Sequence, residues 1–278
     1  MDLPPQIFDQ DLRDLRFSKI SERDRANFLH SEAISHVAER LEEINRTFPD
    51  RRIITSHPEL WANSELANKI LPMQDDLGIP DQTLDLIIHG LSLHNSNDPV
   101  GQLVQARRAL RSDGMFIAVL FGGQTLHELR RSIVSAETEI RGGISPRIHP
   151  MGEIRDLGAL LQRAGFALPV ADSFAYRVQY KTVIDLMHDL RRMNETNILT
   201  SQSRTFLRRD VLRKTCEIYA DNFTDRGGKI VATFELVFLT GWAPSLDQPK
   251  PLQPGSAKAR LADALGSVET PAGEKTPR

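Results

Sequence analysis

Two apolar runs a helix apart constrain this chain more than any other feature: Thr83-Leu84-Asp85-Leu86-Ile87-Ile88-His89 and Met115-Phe116-Ile117-Ala118-Val119-Leu120. Each is a continuous β-favouring stretch, the pattern of a strand covered on both faces of a parallel sheet. Between them, Asp98-Pro99 supplies an N-cap and a first-turn proline. Val100, Leu103, Val104 and Leu110 then share one helical face, and Arg107, Arg108 and Arg111 crowd the last turn, where cations complement the helix dipole. Asp113-Gly114 reads as a tight turn into the second strand. A strand-helix-strand unit of this kind closes as a right-handed crossover, so the fold class is α/β with a mostly parallel sheet.

Weaker patterns fill in the rest. Ser31 is placed to cap a helix carrying Ile34, Val37, Ala38, Leu41 and Ile44. Ile53-Ile54 is a short strand, and Glu59 to Leu71 is a helix candidate through Leu60, Trp61 and Leu66. Further helices are expected at Leu126 to Ala136, at Met151 to Ala164, around Val183 to Leu190, and at Phe206 to Tyr219. Ile230, Ala232, Phe234, Leu236 and Phe238 alternate as a late strand with one better-covered face. Residues 1–30 form a lead-in and 31–243 the domain. Residues 244–278, with six prolines and few large apolar groups, are expected to be a mobile tail.

With 278 residues, 40% of them hydrophobic, the chain can bury one sizeable core. A formal charge of -2 gives no basis for nucleic acid or an anionic membrane as partner. No apolar run reaches the roughly 18 to 20 residues that cross a bilayer. A single cysteine, Cys216, fits a reducing compartment, and the opening residues lack the pattern of a signal or transit sequence, so the expected location is cytoplasmic. No Cys/His spacing suggests a metal.

Leu91-Ser92-Leu93-His94, Leu110 to Gly114, Phe121-Gly122-Gly123-Gln124-Thr125-Leu126-His127-Glu128-Leu129-Arg130, Asp156-Leu157-Gly158 and Arg163-Ala164-Gly165-Phe166 occur in an order that resembles the complex I assembly factor 5 family. That family consists of class I methyltransferase-fold proteins related to the biotin-pathway carrier-protein methyltransferase. The similarity runs from Phe8 to about Gly266 and is strongest from Asp85 to Gly165; Gly122 to Arg130 is its specific part. The resemblance implies a Rossmann-like sheet of the seven-stranded type with a late antiparallel strand and extra helices. It also implies S-adenosylmethionine as cofactor, a protein substrate or respiratory complex subunit as partner, and a role in complex I maturation. Arginine hydroxylation is associated with the family, so methyl transfer is not the only chemistry it implies.

One stretch departs from the pattern. Such proteins carry a glycine-rich loop after the first strand and acidic residues after the second and third; here Arg51-Arg52-Ile53-Ile54-Thr55-Ser56-His57-Pro58-Glu59 has no glycine. A turn that brings backbone against a cofactor normally needs residues without a Cβ. Between Thr47 and Thr83 only Gly78 remains, and only Asp75 and Asp76 stand near the last acidic position. Two readings stay open: a rebuilt loop in which Ser56 or Glu59 holds the ligand, or a platform that keeps the fold without the cofactor.

Site candidates follow from position. Asp75, Asp76 and His94 are the cofactor-side candidates, His94 because it follows a strand at the carboxyl edge, where open α/β sheets bind ligands. Phe121, Gly122, Gly123, Thr125, Glu128 and Arg147 are the substrate-pocket candidates. Each has a plainer reading: a loop histidine, a strand-to-helix turn, solvated charges, or a proline-stiffened linker around Arg147 and His149. Met193 to Asn197 is either a cover for the pocket or an ordinary helix end. Cys216 shares a helix with Leu212 and Tyr219 and reads as a buried thiol.

Overall fold

The computed structural model describes residues 5–21, 25–203, 205–248, 262–263 and 266–267. Six strands, β1 (Arg51–Thr55), β2 (Lys69–Pro72), β3 (Leu84–Gly90), β4 (Leu110–Phe121), β5 (Ala167–Tyr180) and β6 (Ile230–Trp242), make one sheet in the order β2-β1-β3-β4-β6-β5. The first four are mutually parallel, and β6 runs antiparallel between β4 and β5. Among the described residues the sheet is one strand short of the seven-stranded type. The chain divides after Pro244, and everything below concerns the unit before that point. Most of the expected tail, including Pro254 to Ala257, lies outside the described residues.

The period-2 geometry of the strands sorts their side chains into two cores. Ile53, Ile88, Ile117 and Phe238 belong to one face; Ile54, Ile87, Phe116 and Leu239 to the other. The first face is covered by α2 (Phe28–Glu43), α5 (His127–Arg141), α7 (Val183–Arg192) and α8 (Arg209–Phe223), through Val37, Ile133, Leu186 and Tyr219. The second is covered by α4 (Pro99–Ala109) and α6 (Ile154–Arg163), through Leu103, Ala106, Leu157 and Leu161. Each fully buried leucine contributes roughly 1.5–3 kcal/mol. At the start of α4, Asp98 accepts the Gly101 N–H at 2.7 Å, with Pro99 in the first turn, as its sequence predicts.

Five parts of the fold differ from their sequence pattern. The α2 helix starts three residues before Ser31, whose hydroxyl donates back to Asn27 O instead of capping. Where Leu60, Trp61 and Leu66 suggest one long helix, a four-residue α3 (Pro58–Trp61) is followed by β2, because Trp61 turns into the sheet core and ends the periodicity. The Asp113-Gly114 turn lies inside β4: Leu84 pairs with Leu110 and Leu86 with Met115, so two residues of β3 face five of β4 and Asp113 takes φ +61°. Strand β6 is covered on both faces, by α5 and α8 on one and α6 on the other. Strand β5 itself escapes the pattern because Asp172 interrupts an alternation of Leu168, Val170, Phe174, Tyr176 and Val178; Asp172 is held by Arg40 of α2.

Before α2, the lead-in is part of the fold. Helix α1 (Gln10–Phe17) is capped by Asp9, which accepts the Leu12 N–H at 2.9 Å. Phe8 is buried, bridges to Leu199, and exchanges hydrogen bonds with the Asn97 amide at 2.8 and 3.0 Å. This segment straps together loops that arrive from distant parts of the chain.

Candidate functional site

The parallel strands end in step, Thr55 opposite Gly90 and Gly90 opposite Val119, so their following loops share one carboxyl edge. Over β1 and β3 that edge is filled. The Thr55 hydroxyl donates to Gly90 O at 2.8 Å, and the Ser56 N–H donates to Ser92 Oγ at 2.7 Å, which holds the turn flat against the next strand. The Trp61 ring lies on Gly90 so closely that a Cβ there would come within 2.6 Å of it. Its Nε1–H donates to His30 Nδ1 at 3.1 Å. His57 packs against the His30 ring at 4.7 Å and the edge of Phe17 at 4.8 Å, and burial pushes its pKa down to about 4.

This is not the geometry of a nucleotide cradle. The glycine that permits close approach, Gly90, is met by the chain's own tryptophan. The turn after β1 carries the side chains of Ser56 and His57, and Ser56 Oγ and both His57 ring nitrogens have no hydrogen-bond partner among the described residues. Asp75 and Asp76 are exposed beyond β2; Asp76 accepts the Gly78 N–H at 2.9 Å, and the Asp75 carbonyl accepts from the Gln105 amide at 2.8 Å. Neither joins His94. S-adenosylmethionine, the cofactor that kinship implies, does not fit the described residues as a glycine-loop ligand.

Over β4 and β6 the edge opens. A cavity of about 590 Å³ lies between the end of β4, α5, the 145–151 connection, and the loop after α7. Of the substrate-pocket candidates, Phe121, Thr125 and Arg147 line it. Gly122 and Gly123 stand behind it: Gly122 bridges to Gly152, and a Cβ on Gly123 would meet only the carboxylate end of Glu153. Glu128 is buried and turned away, accepting the Thr233 N–H at 3.1 Å and the Thr233 hydroxyl at 2.5 Å. That is a structural tie between α5 and β6.

Arg147 donates to Glu137 Oε1 at 2.8 Å, and Glu137 also accepts the Ser145 N–H at 2.7 Å. Burial alone would raise the Glu137 pKa, and these hydrogen bonds hold it below the usual carboxylate range. Arg147 is thus fixed as part of the wall. His149 is buried, its Nε2 accepts the Ile198 N–H at 3.0 Å, and burial pushes its pKa down to about 4.

Between the filled side and the open side stands His94. Its ring meets Phe121 edge to face at 4.8 Å, and its Nε2 lies 3.3 Å from Glu195 Oε2. Burial would raise the Glu195 pKa, and His94, with smaller help from His57 and His149, keeps it below the ordinary value. Glu195 lines the cavity, in the Met193 to Asn197 segment. Sequence reasoning places Glu195 only within the Met193 to Asn197 segment, as a pocket cover or a helix end, and gives Trp61 and His30 no part in a site. A signal for Glu195 exists: an acid three positions past a helix whose last turn holds Arg191 and Arg192 opposes the dipole that those arginines complement. Among the described residues, no group of three His, Cys, Asp or Glu is arranged to hold a metal. Cys216 is a half-buried free thiol whose pKa burial raises.

A parallel β2-β1-β3-β4 half-sheet, a last strand inserted antiparallel at the far side, and a cavity over the carboxyl edge define a Rossmann-like class I methyltransferase fold. No family model matches the chain. It is 31% identical to arginine-hydroxylase NDUFAF5, mitochondrial, of Homo sapiens, over 97% of this chain and 87% of that protein. The chain belongs to the NDUFAF5 family, the complex I assembly factor 5 family. A malonyl-[acyl-carrier protein] O-methyltransferase of Nitrosospira multiformis is 29% identical over 62% of this chain and 53% of that protein. Among solved structures, the YcgJ protein of Bacillus subtilis matches 75% of this chain and 97% of its own at 11% identity, with a TM-score of 0.48.

Proposed function

We propose that this methyltransferase-like protein acts in complex I assembly on a component of that complex, taking one protein side chain into the cavity over β4. The observation that carries the reading is the open, largely apolar cavity walled by Phe121, Leu129 and Phe234, in a chain whose relatives are named arginine-hydroxylases. An arginine stem fits such walls. The protein's part would be to desolvate and hold that side chain while the reaction proceeds. Hydroxylation needs an oxidant and an electron source, which the described residues do not themselves supply.

A second reading, a non-catalytic binding platform, is favoured by the Trp61 seal over Gly90. Calorimetric titration with S-adenosylmethionine separates the two. The expected result is no saturable one-to-one binding in the low micromolar range; a curve near about −8 kcal/mol would mean that a cradle forms after all and would favour the methyltransferase reading. The cavity itself is tested by complementation of a deletion strain. Ile148→Trp, in the loop lining the cavity, should block restoration of complex I with the thermal midpoint preserved. Full complementation by that variant would remove the cavity from the function. The single cysteine supports a reducing, cytoplasmic setting for the work; among the described residues no helix is long and apolar enough to cross a membrane.

A further inference from the structure

Glu195 stands where a carboxylate is hardest to keep. Helix α7 ends in a left-handed Asn194 with φ +60°; the Asn194 N–H donates to Arg191 O at 3.0 Å and the Glu195 N–H to Leu190 O at 2.9 Å. This double closure fixes the backbone of Glu195 just past the negative end of the helix dipole, where an acid is disfavoured. The side chain is about 10% exposed, so the anion has also lost most of its water.

Its compensation is thin. Among the described residues the one hydrogen bond to the carboxylate is from His94 to Oε2, at a long 3.3 Å, and Oε1 has none. The same His94 Nε2 lies 3.1 Å from the Asn95 amide, whose Oδ1 is otherwise unpaired. A proton on Nε2 can point at Glu195 with the amide oxygen turned toward the ring. His57 and His149 face the same carboxylate, but burial keeps both neutral near pH 7. A desolvated carboxylate with Oε1 unpaired and facing a cavity has room for a cationic partner.

None of the four cations that line the cavity is paired with Glu195 among the described residues: Arg147 is taken by Glu137, Arg16 by Thr196 Oγ1 at 3.0 Å and Asn197 O at 2.5 Å, Arg191 lies 3.4 Å from His188 Nδ1, and Lys19 makes no ion pair with it. Next to His94, Phe121 and then Phe234 continue as a row of aromatic rings, 4.8 and 6.4 Å apart. Aromatic walls beside a desolvated carboxylate suit a planar cation on an apolar stem.

Resting on the proposed reading of this cavity, we infer that Glu195 is its specificity-determining residue, pairing with the cationic head of the inserted side chain and distinguishing a guanidinium from a neutral isostere. The test uses the full chain and two small probes of equal shape, n-butylguanidinium and n-butylurea, titrated by NMR. The wild-type protein should prefer the guanidinium by ten-fold or more, about 1.4 kcal/mol. In Glu195→Gln the preference should vanish while butylurea affinity stays unchanged, and Glu195→Asp should keep part of it; thermal midpoints confirm that the variants are folded. A preference that survives Glu195→Gln, equal binding of both probes to wild type, or binding of neither, overturns the inference. Complementation by Ile148→Trp judges the cavity separately, so loss of the Glu195 role and loss of the cavity's role give different patterns.

Discussion

Over β1 and β3 the carboxyl edge of the sheet is closed by Trp61, His57 and Phe17, whereas one strand further along, over β4 and β6, it holds a cavity of about 590 Å³. Both regions begin where a parallel strand ends, β1 and β3 on the closed side and β4 on the open side, where antiparallel β6 lies beside it. What separates them is which side chains fall next. After β1 the chain passes directly into α3, and Trp61 returns to the sheet. After β4 the chain goes Gly122-Gly123, without side chains, and α5 begins only at His127, tied to β6 through Glu128 and Thr233. The comparison shows that a fold's usual binding place can be occupied by its own core while binding capacity persists beside it.

The largest expected effect lies on the closed side. Trp61 is about 1% exposed, and Trp61→Ala should lower stability by about 3–5 kcal/mol, read by urea unfolding. A loss below about 1 kcal/mol would mean that the ring is not what closes the edge. Acid comes next. His57, His89 and His149 each have a pKa near 4 because burial disfavours the charged ring. The unfolded chain therefore binds more protons between about pH 6.5 and pH 4; this contribution is intact above 6.5 and lost as pH falls toward 4, up to about 3 kcal/mol per residue. Unfolding midpoints from pH 7.5 to 5 should fall accordingly, and His89→Leu, away from the cavity, should flatten the curve. An unchanged slope in that variant would assign the acid sensitivity to other groups.

The smallest effects compare two glycines. Gly90→Ala would drive a Cβ into the rigid Trp61 ring and should cost about 1–3 kcal/mol. Gly123→Ala meets only the movable end of Glu153, and its cost should stay within about 0.5 kcal/mol. Equal costs at the two positions would erase the contrast between closed and open sides.

The legible parts of the molecule were those decided locally. Asp98 and Pro99 announce α4, and residues 84–90 and 115–120 read as strands because both faces are apolar. The region from Glu59 to Leu71 misleads because Leu60, Trp61 and Leu66 mimic a helical stripe while their burial is tertiary. At the site, Phe121, Thr125 and Arg147 could be placed near a cavity from their position after β4. Glu195 could be placed only as part of a segment that covers the pocket or ends a helix; its pairing with His94, 101 residues earlier, exists only once α7 is docked.

The position of β6 also bears on how the molecule is made. Strand β4 is finished at Phe121, but its neighbour in the sheet is the final strand, and β5, completed earlier, has no ladder to join until β6 arrives. While the ribosome extends most of the second half of the chain, the apolar edge of β4 has no partner strand, a state prone to mispairing with other chains. Closure then joins both strands in one event when Ile230 to Trp242 emerges. A nascent chain halted short of that strand is therefore expected to depend on chaperones, whereas one halted just past it carries every strand the sheet requires.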